Sequence, residues 1–222
     1  MTTLARRDDP QDRVLDAAAA LFRARGFSAT TVREIAAAAG ILPGSLHYRF
    51  ATKESLLVAL MERAVEHAMA AVREAVAGSR DPLERLRLGL RAHMRILLSG
   101  DAAIYVLLYE WRSLTGGPRE AIVRLRDRYE AFWDGLLHHA AGAGYLRDGV
   151  DLGLLRLFSF GAINWAAQWY SPEGKLTPDQ IADAFWTFTG LGVLNDDARP
   201  ANMTELRELP PTALRNEEPR RK

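Results

Sequence analysis

The chain has 222 residues, of which 48% are hydrophobic and 26% are charged, and its formal net charge is +1 at pH 7. This composition is typical of a globular protein, and the near-zero net charge means that any nucleic-acid-binding surface must be a local patch. The chain has no cysteine, which excludes disulfides, thiolate metal sites and a cysteine nucleophile and favours a reducing compartment, so we expect the cytoplasm. The most apolar segment, residues 152–167, is interrupted by Arg156 and Asn164, and we predict neither a membrane span nor an export signal.

Helical periodicity runs through nearly the whole chain, and no segment alternates apolar and polar residues over the length of a strand. We therefore predict an all-α fold. The first helix is predicted to begin at Pro10 and to end near Gly26. Thr31 and Glu34 have the spacing of a capping box, so a second helix is predicted over residues 32–39.

A third, short helix is predicted immediately after the second. Gly40 is the residue type that ends helices, and Pro43 can begin the next helix because the first helical residue needs no amide hydrogen. Ile41, Leu46 and Phe50 are expected to anchor this helix to its neighbours. A helix, a tight turn and a second helix form the arrangement in which one helix braces against the DNA backbone and the next enters the major groove.

The residues that face outward from this segment suit the chemistry of DNA. Hydroxyl, imidazole, phenol and guanidinium groups donate hydrogen bonds to phosphates and base edges, glycine allows close backbone approach, and free N–H groups at helix starts attract a phosphate. The alternative is a helical hairpin inside a larger bundle that only resembles this motif. The candidate DNA-binding residues are Thr31, Arg33, Pro43, Gly44, Ser45, His47, Tyr48, Arg49 and Lys53.

The segment TTVREIAAAAGILPGSLHYRFATKESLL, residues 30–57, resembles the DNA-binding segment of the TetR/AcrR family of transcriptional regulators. The resemblance implies a homodimer with an N-terminal three-helix DNA-binding domain and a divergent helical C-terminal domain that binds a small molecule and dimerises. Two positions depart from the family pattern. Leu42 stands where a small hydroxyl residue usually caps the helix, so Pro43 is expected to order the helix start by fixing φ, and His47 stands where tyrosine is usual.

Further helices are predicted over residues 52–77, 83–98, 102–114, 119–141, 152–170 and 179–194, with glycine, proline and serine clusters between them. We expect a helix-turn-helix DNA-binding domain over residues 1–53 and an effector-binding and dimerisation domain over residues 54–195. Residues 196–222 are rich in proline, arginine and glutamate, which predicts a mobile charged tail.

The helices predicted over residues 152–170 and 179–194 are apolar around most of their circumference. Pairing them with the same helices of a second copy across a two-fold axis would form a four-helix bundle. The alternative is that both helices are buried within one monomer, because an apolar pattern does not say which chain covers a face. The candidate dimer-interface residues are Phe158, Ala162, Trp169, Phe185, Phe188 and Leu191.

Polar and aromatic residues that share helix faces in the C-terminal part are candidates for an effector site. Asn164 and Gln168 lie within an apolar helix, and buried amides need partners, which a ligand or a neighbouring helix could supply. Arg87, Arg91 and Arg95 repeat every four residues, which indicates a solvated face or a site for a phosphorylated ligand. Ordinary packing is the alternative for each candidate. The candidate effector-binding residues are Arg95, Tyr105, Tyr109, Arg112, Asn164, Trp165 and Gln168.

The segment NWAAQWYSPEGKLTPDQIADAF, residues 164–185, is similar to the matching region of family members that sense acyl-CoA thioesters from fatty-acid, aromatic-acid or sterol degradation. This resemblance implies an effector of the acyl-CoA type. The alternative is that the shared residues belong to the dimer scaffold of that subfamily.

Together these features predict a homodimeric repressor that a small hydrophobic or acyl-CoA-type effector releases from a palindromic operator. One alternative is a helix-turn-helix regulator whose C-terminal domain only dimerises or binds a protein partner. An all-α enzyme is a remote alternative, because His138 and His139 point to different faces of one helix and no HExxH, P-loop or GxSxG motif is present. We predict no catalytic activity, no metal and no cofactor.

Overall fold

The computed structural model describes residues 9–199, and these residues are almost entirely helical. The α-helices are α1 (Pro10–Arg25), α2 (Val32–Ala38), α3 (Pro43–Arg49), α4 (Lys53–Ala77), α5 (Pro82–Leu97), α6 (Ala102–Tyr109), α7 (Gly116–Gly142), α8 (Leu152–Trp169) and α9 (Pro178–Val193). Two short 3-10 helices are Trp111–Ser113 and Asp196–Ala198. Within the described residues no strand forms, and the only bridge is an isolated antiparallel one between Leu146 and Leu194. The prediction of an all-α fold is confirmed.

The helix boundaries follow the local sequence signals, with two differences. The helix predicted over residues 102–114 ends at Tyr109 and is followed by a 3-10 helix. α7 begins at Gly116 rather than at residue 119, because Pro118 lies in the first helical turn, where its missing N–H has no helical partner to lose. The predicted tail from residue 196 begins with the second 3-10 helix, and its larger part, residues 200–222, lies outside the described residues.

The described chain divides into two compact units, and each is built from two separate stretches of sequence. The first unit consists of residues 9–70 and 100–130, and the second consists of residues 71–99 and 131–199. α4 and α7 therefore each contribute residues to both units. The functional division expected after residue 53 stays a prediction.

The first unit is organised around α1. Val14, Ala18 and Phe22 recur at the spacing of one helix face, and all three are fully buried. α1 packs against α2 and against α6. Arg63 of α4 forms an ion pair with Asp16 of α1 at 2.6 Å, which holds α4 beside the same helix.

In the second unit, α5 packs against α9. Arg91 forms a bidentate ion pair with Asp183, and Arg95 forms one with Asp179 in which both N···O distances are 2.6 Å. The Arg87 guanidinium lies 3.8 Å from Asp183. The arginine stripe seen in the sequence is therefore paired with carboxylates of α9.

Gly89 of α5 lies where this helix packs closely against two others. A Cβ atom at Gly89 would lie 3.1 Å from the ring of Trp133 in α7 and 3.2 Å from Val76 in α4. To admit a side chain at Gly89, Trp133 or Val76 would have to shift by a few tenths of an ångström, so the glycine allows the three helices to pack this closely.

Candidate functional site

The supporting helix of the predicted helix-turn-helix motif, α2, begins with the capping box that the sequence indicated. The Thr31 hydroxyl accepts a hydrogen bond from the Glu34 amide at 3.3 Å, and the Glu34 carboxylate accepts one from the Thr31 amide at 2.8 Å. The bonds from Thr31 hold the pKa of Glu34 below its ordinary value. Arg25 adds an ion pair with Glu34 at 2.9 Å, so the start of α2 is joined to the end of α1.

The turn between α2 and α3 is a Schellman motif. The Gly40 amide donates to the Ala37 carbonyl at 3.2 Å, and the Ile41 amide donates to the Ala36 carbonyl at 3.0 Å. Gly40 has a φ of +69°, a left-handed conformation that strains most other residue types. The motif determines the direction in which α3 leaves α2.

α3 is anchored by one side chain and exposes the others. Of its seven described residues only Leu46 is buried, with 0% of its surface exposed. The N-cap residue Leu42 makes no side-chain hydrogen bond, and Pro43 occupies the start of the helix, as the sequence indicated. Tyr48 is 94% exposed. The other exposed residues of α3 are Pro43, Gly44, Ser45, His47 and Arg49.

Lys53 differs from the other DNA-binding candidates, which are all exposed, because its ammonium group is already engaged. Its Nζ donates to the carbonyls of Phe27 at 2.8 Å and Thr30 at 2.9 Å, and it lies 4.3 Å from the centroid of the Phe27 ring. Since an ammonium group has three protons, these contacts leave it little capacity for a phosphate. The Lys53 side chain thus joins the start of α4 to the loop before α2. A contact between Lys53 and DNA stays a prediction.

A cavity of about 80 Å³ lies in the second unit and opens to solvent. Its walls come from α5, α7, α8 and α9 and from the bridge that joins residues 146 and 194, and they are almost entirely apolar. Concave sites with apolar walls are where proteins bind small hydrophobic molecules. The lining residues include Leu90, Trp133, Ser159, Phe160, Ile163 and Trp186.

Two polar side chains of the cavity wall are held by partners within the second unit. Arg156 donates to a carboxylate of α7 at 2.7 Å. His93 forms a hydrogen bond with Asn164, and the rings of Trp133 and Phe160 meet it edge-on, with centroids 5.9 and 5.5 Å away. Burial lowers the pKa of His93 to about 4, so its imidazole is neutral at pH 7.

We expect His93 to make the protein less stable in acid. The imidazole takes up a proton near pH 6.5 in the unfolded chain and near pH 4 in the folded protein, so its stabilising contribution is complete above the higher value and is lost as the pH falls toward the lower one. Between pH 7 and pH 4.5 this loss is roughly 2 to 3 kcal/mol. Urea denaturation of the wild type and of His93→Gln at both pH values measures the loss, which should be smaller in the variant. Equal losses in the two proteins would contradict the assignment.

The seven effector candidates named from the sequence do not line the cavity. Asn164 lies nearest to it, because it forms a hydrogen bond with His93 in the cavity wall. The candidates that belong to the first unit are Tyr105, Tyr109 and Arg112. The candidates exposed on the second unit are Arg95, Trp165 and Gln168.

Reasoning from the sequence did not identify the residues that line the cavity. Apolar residues at helical spacing indicate burial, but the pattern is the same whether they pack against other side chains or against a void. The sequence does contain one feature that could have indicated the cavity. Ser159 and Thr189 are small hydroxyl residues within helices of bulky apolar residues, and both line the cavity.

A second surface of this unit is an exposed set of large apolar side chains on α8 and α9. Phe158, Trp165 and Phe188 are 72%, 66% and 65% exposed, and a patch of this kind on a folded protein indicates an interface. Within residues 9–199, no helix has the length and hydropathy needed to cross a bilayer. We call this surface the apolar face, and it comprises Leu154, Leu157, Phe158, Trp165, Phe188 and Leu191.

Four of the six dimer-interface candidates are exposed, and two are not. Trp169 is partly buried, and Phe185 is partly buried and lines the cavity. The exposed candidates are Phe158, Ala162, Phe188 and Leu191.

An exposed short helix that follows a tight turn is the element with which helix-turn-helix regulators read DNA, and this is the class of protein that the fold defines. Residues 14–60 match the family model of bacterial regulatory proteins of the tetR family. Residues 79–193, just over half of the chain, match the tetracyclin repressor-like C-terminal domain. The chain belongs to the TetR family. Members of this family are transcriptional regulators that bind DNA and small-molecule effectors and act as dimers.

Several relatives share both parts of the chain. The transcriptional repressor KstR2 of Mycobacterium tuberculosis is 32% identical over 173 residues, which cover 78% of this chain and 86% of that protein. The superantigen PfiT is 34% identical with a TM-score of 0.74 and covers 86% of this chain and 98% of its own. AibR, solved in complex with isovaleryl coenzyme A and operator DNA, is 29% identical with a TM-score of 0.73, covering 82% of this chain and 97% of its own.

Proposed function

We propose that the chain is a homodimeric repressor that leaves a palindromic operator when a small hydrophobic or acyl-CoA-type effector binds in its cavity. The apolar cavity in the second unit carries this proposal, because a concave site with apolar walls can bury the hydrophobic part of a small molecule. The structure of AibR with isovaleryl coenzyme A and operator DNA supports this effector class. The similarity of residues 164–185 to the matching region of acyl-CoA sensors supports the same effector class.

On the DNA side, the exposed face of α3 is the proposed reading surface. Tyr48, His47 and Arg49 would contact phosphates and base edges, while Thr31 and Arg33 approach the backbone from the start of α2. Two copies of α3 would enter successive major grooves about 34 Å apart if the apolar face of each subunit covers that of the other. The protein would act in the cytoplasm, where bacterial DNA is, and it would carry out no catalytic step.

On the effector side, binding must favour the conformer that does not fit the operator, because a ligand shifts an equilibrium only through its difference in affinity for the two states. Each methylene group of an acyl chain that enters the cavity contributes about 0.8 kcal/mol. The affinity should therefore rise about fourfold per added carbon until the cavity is filled, and longer chains should gain nothing further.

A substitution that fills the cavity is expected to abolish this response. In Ser159→Phe a phenyl ring would occupy the space, so the effector concentration that releases half of the operator should rise at least about tenfold, the equivalent of two lost methylene contacts. Fluorescence anisotropy of a labelled duplex from the promoter beside its own gene, titrated with acyl-CoAs of increasing chain length, measures this concentration.

The matched control is Ser159→Ala, which removes the hydroxyl group and leaves the space open, so it should respond as the wild type does. If both variants release DNA at the wild-type concentration, the effector does not bind in this cavity. If no duplex binds the wild type more tightly than random DNA, the proposal of a repressor is wrong.

A further inference from the structure

The ammonium group of Lys53 lies in a site that the loop before α2 forms around it. Its Nζ is 2.8 Å from the carbonyl oxygen of Phe27, 2.9 Å from that of Thr30 and 3.5 Å from that of Ser28. The centroid of the Phe27 ring is 4.3 Å from the same atom. Three carbonyl oxygens match the three protons of an ammonium group, and an aromatic ring attracts a cation. We call these four residues the lysine clamp.

The loop residues of the lysine clamp are packed within the first unit. Phe27 is buried, and the centroid of its ring lies 5.3 Å from that of Phe22 in α1. Thr30 is also buried, and its hydroxyl donates to the Gly26 carbonyl at 2.9 Å. Within residues 9–199, the Thr30 carbonyl accepts a hydrogen bond from Lys53 alone. Removal of the ammonium group would therefore leave the carbonyl oxygen of a buried residue without a donor.

The lysine clamp connects the two ends of the helix-turn-helix motif. Thr30 directly precedes Thr31, the N-cap of α2, and Lys53 is the first residue of α4, four positions after the last residue of α3. One side chain thus joins the segment that enters α2 to the segment that leaves α3. A connection at this point restrains the start of α2, where the DNA-binding candidates Thr31 and Arg33 lie, relative to α3.

We propose that Lys53 is a positioning residue for operator recognition, whose ammonium group holds the start of α2 in place beside α3 and binds no phosphate. This inference rests on the proposed function, which supplies the operator. A phosphate contact would require the ammonium group to leave the two carbonyl oxygens at 2.8 and 2.9 Å. Loss of the lysine clamp should therefore reduce the preference for the operator and leave the general attraction to DNA unchanged.

A positioning residue and a phosphate contact have different effects on DNA binding. Loss of a lysine that contacts a phosphate weakens binding to all sequences about equally, and the slope of log K against log salt concentration falls by about 1. A residue that positions α2 matters only where side chains must meet particular bases. Its loss weakens binding to the operator and spares binding to a duplex of random sequence.

Lys53→Arg separates the two roles because it keeps the positive charge. A guanidinium group binds phosphate well, but its planar fork cannot direct three N–H bonds from one atom to three carbonyls. Fluorescence anisotropy should show an operator affinity at least about tenfold below that of the wild type, the worth of one hydrogen bond from a charged group, with an unchanged affinity for a random duplex. Wild-type operator affinity, or equal weakening with both duplexes, would overturn the proposal.

Chemical rescue tests whether the N–H donors of the ammonium group are needed. The chain has no cysteine, so Lys53→Cys introduces a single thiol. Alkylation with bromoethylamine gives a side chain of lysine length with an ammonium group, and alkylation with bromoethyl trimethylammonium gives the same charge without an N–H donor. The first product should regain the operator affinity of the wild type, whereas the second should not. Recovery with both reagents would show that charge alone suffices and would overturn the proposal.

Hydrogen exchange in the free protein separates a failure of this proposal from a failure of the proposed function. The Thr30 amide, which donates to the Phe27 carbonyl at 3.3 Å, and the Thr31 amide should exchange at least about tenfold faster in Lys53→Arg. If no duplex binds the wild type more tightly than random DNA, the repressor proposal fails, while faster exchange confined to residues 26–34 still shows that Lys53 holds the start of α2. Wild-type exchange of both amides in Lys53→Arg would overturn the proposal.

Discussion

A variant with aspartate in place of both Phe158 and Phe188 is expected to be monomeric and to lose roughly 10³-fold in operator affinity. These side chains are 72% and 65% exposed on the apolar face, and a second copy would bury them in a dimer. A carboxylate at either position would have to be desolvated without a partner, which costs several kcal/mol per charge. A monomer would place a single α3 on one half of the operator. The affinity of the variant for the operator should therefore fall toward its affinity for DNA of random sequence.

Sedimentation velocity measures the oligomeric state, and anisotropy with the labelled operator measures the affinity. The matched control is Val123→Asp, which adds a carboxylate at another apolar residue of the surface, one that is 40% exposed on α7. This control should remain dimeric and should bind the operator. A dimeric Phe158→Asp, Phe188→Asp variant would show that the apolar face is not the interface.

The second large effect is expected for Leu46→Ala, which removes the side chain that anchors α3. Leu46 is completely buried, and truncating such a leucine to alanine costs about 2 to 5 kcal/mol. α3 has only seven residues, too few to hold a helix in water without packing. The variant should therefore lose amide protection in α3 and bind the operator much more weakly, as hydrogen exchange and anisotropy would show.

Tyr48→Ala is the matched control for Leu46→Ala, because Tyr48 belongs to the same helix and is 94% exposed. It should leave the stability within about 0.5 kcal/mol of the wild type and still weaken operator binding. The pair thus separates a residue that positions α3 from one that we propose contacts DNA. Wild-type amide protection of α3 in Leu46→Ala would mean that other contacts hold the helix.

The features that the sequence predicted correctly are determined by neighbouring residues. The capping box between Thr31 and Glu34 needs only four consecutive positions, and the turn at Gly40 needs only a residue that tolerates positive φ. Pro43 likewise marks the start of α3 whatever packs against it. The motif that defines the family could therefore be recognised without any tertiary structure.

The features that the sequence did not reveal depend on residues far apart in the chain. Arg95 looks like a free cation on its own helix, but its partner Asp179 follows 84 positions later. The Lys53 side chain suits a phosphate by its position at a helix start, yet three-dimensional packing brings it to the carbonyls of Phe27 and Thr30. The cavity likewise exists only because four helices leave a space between them.

The packing of α1 against α6 limits how this regulator can exchange parts with its relatives. Arg23 of α1 donates to the Gly100 carbonyl at 2.6 Å, and Ile104 and Val106 of α6 are buried in the same unit. A gene segment that ended after residue 70 would bring α1 without the helix that covers it. Recombination within the coding sequence would then produce a first unit with part of its core in water, so exchange of this contiguous segment alone would reduce the stability of the protein.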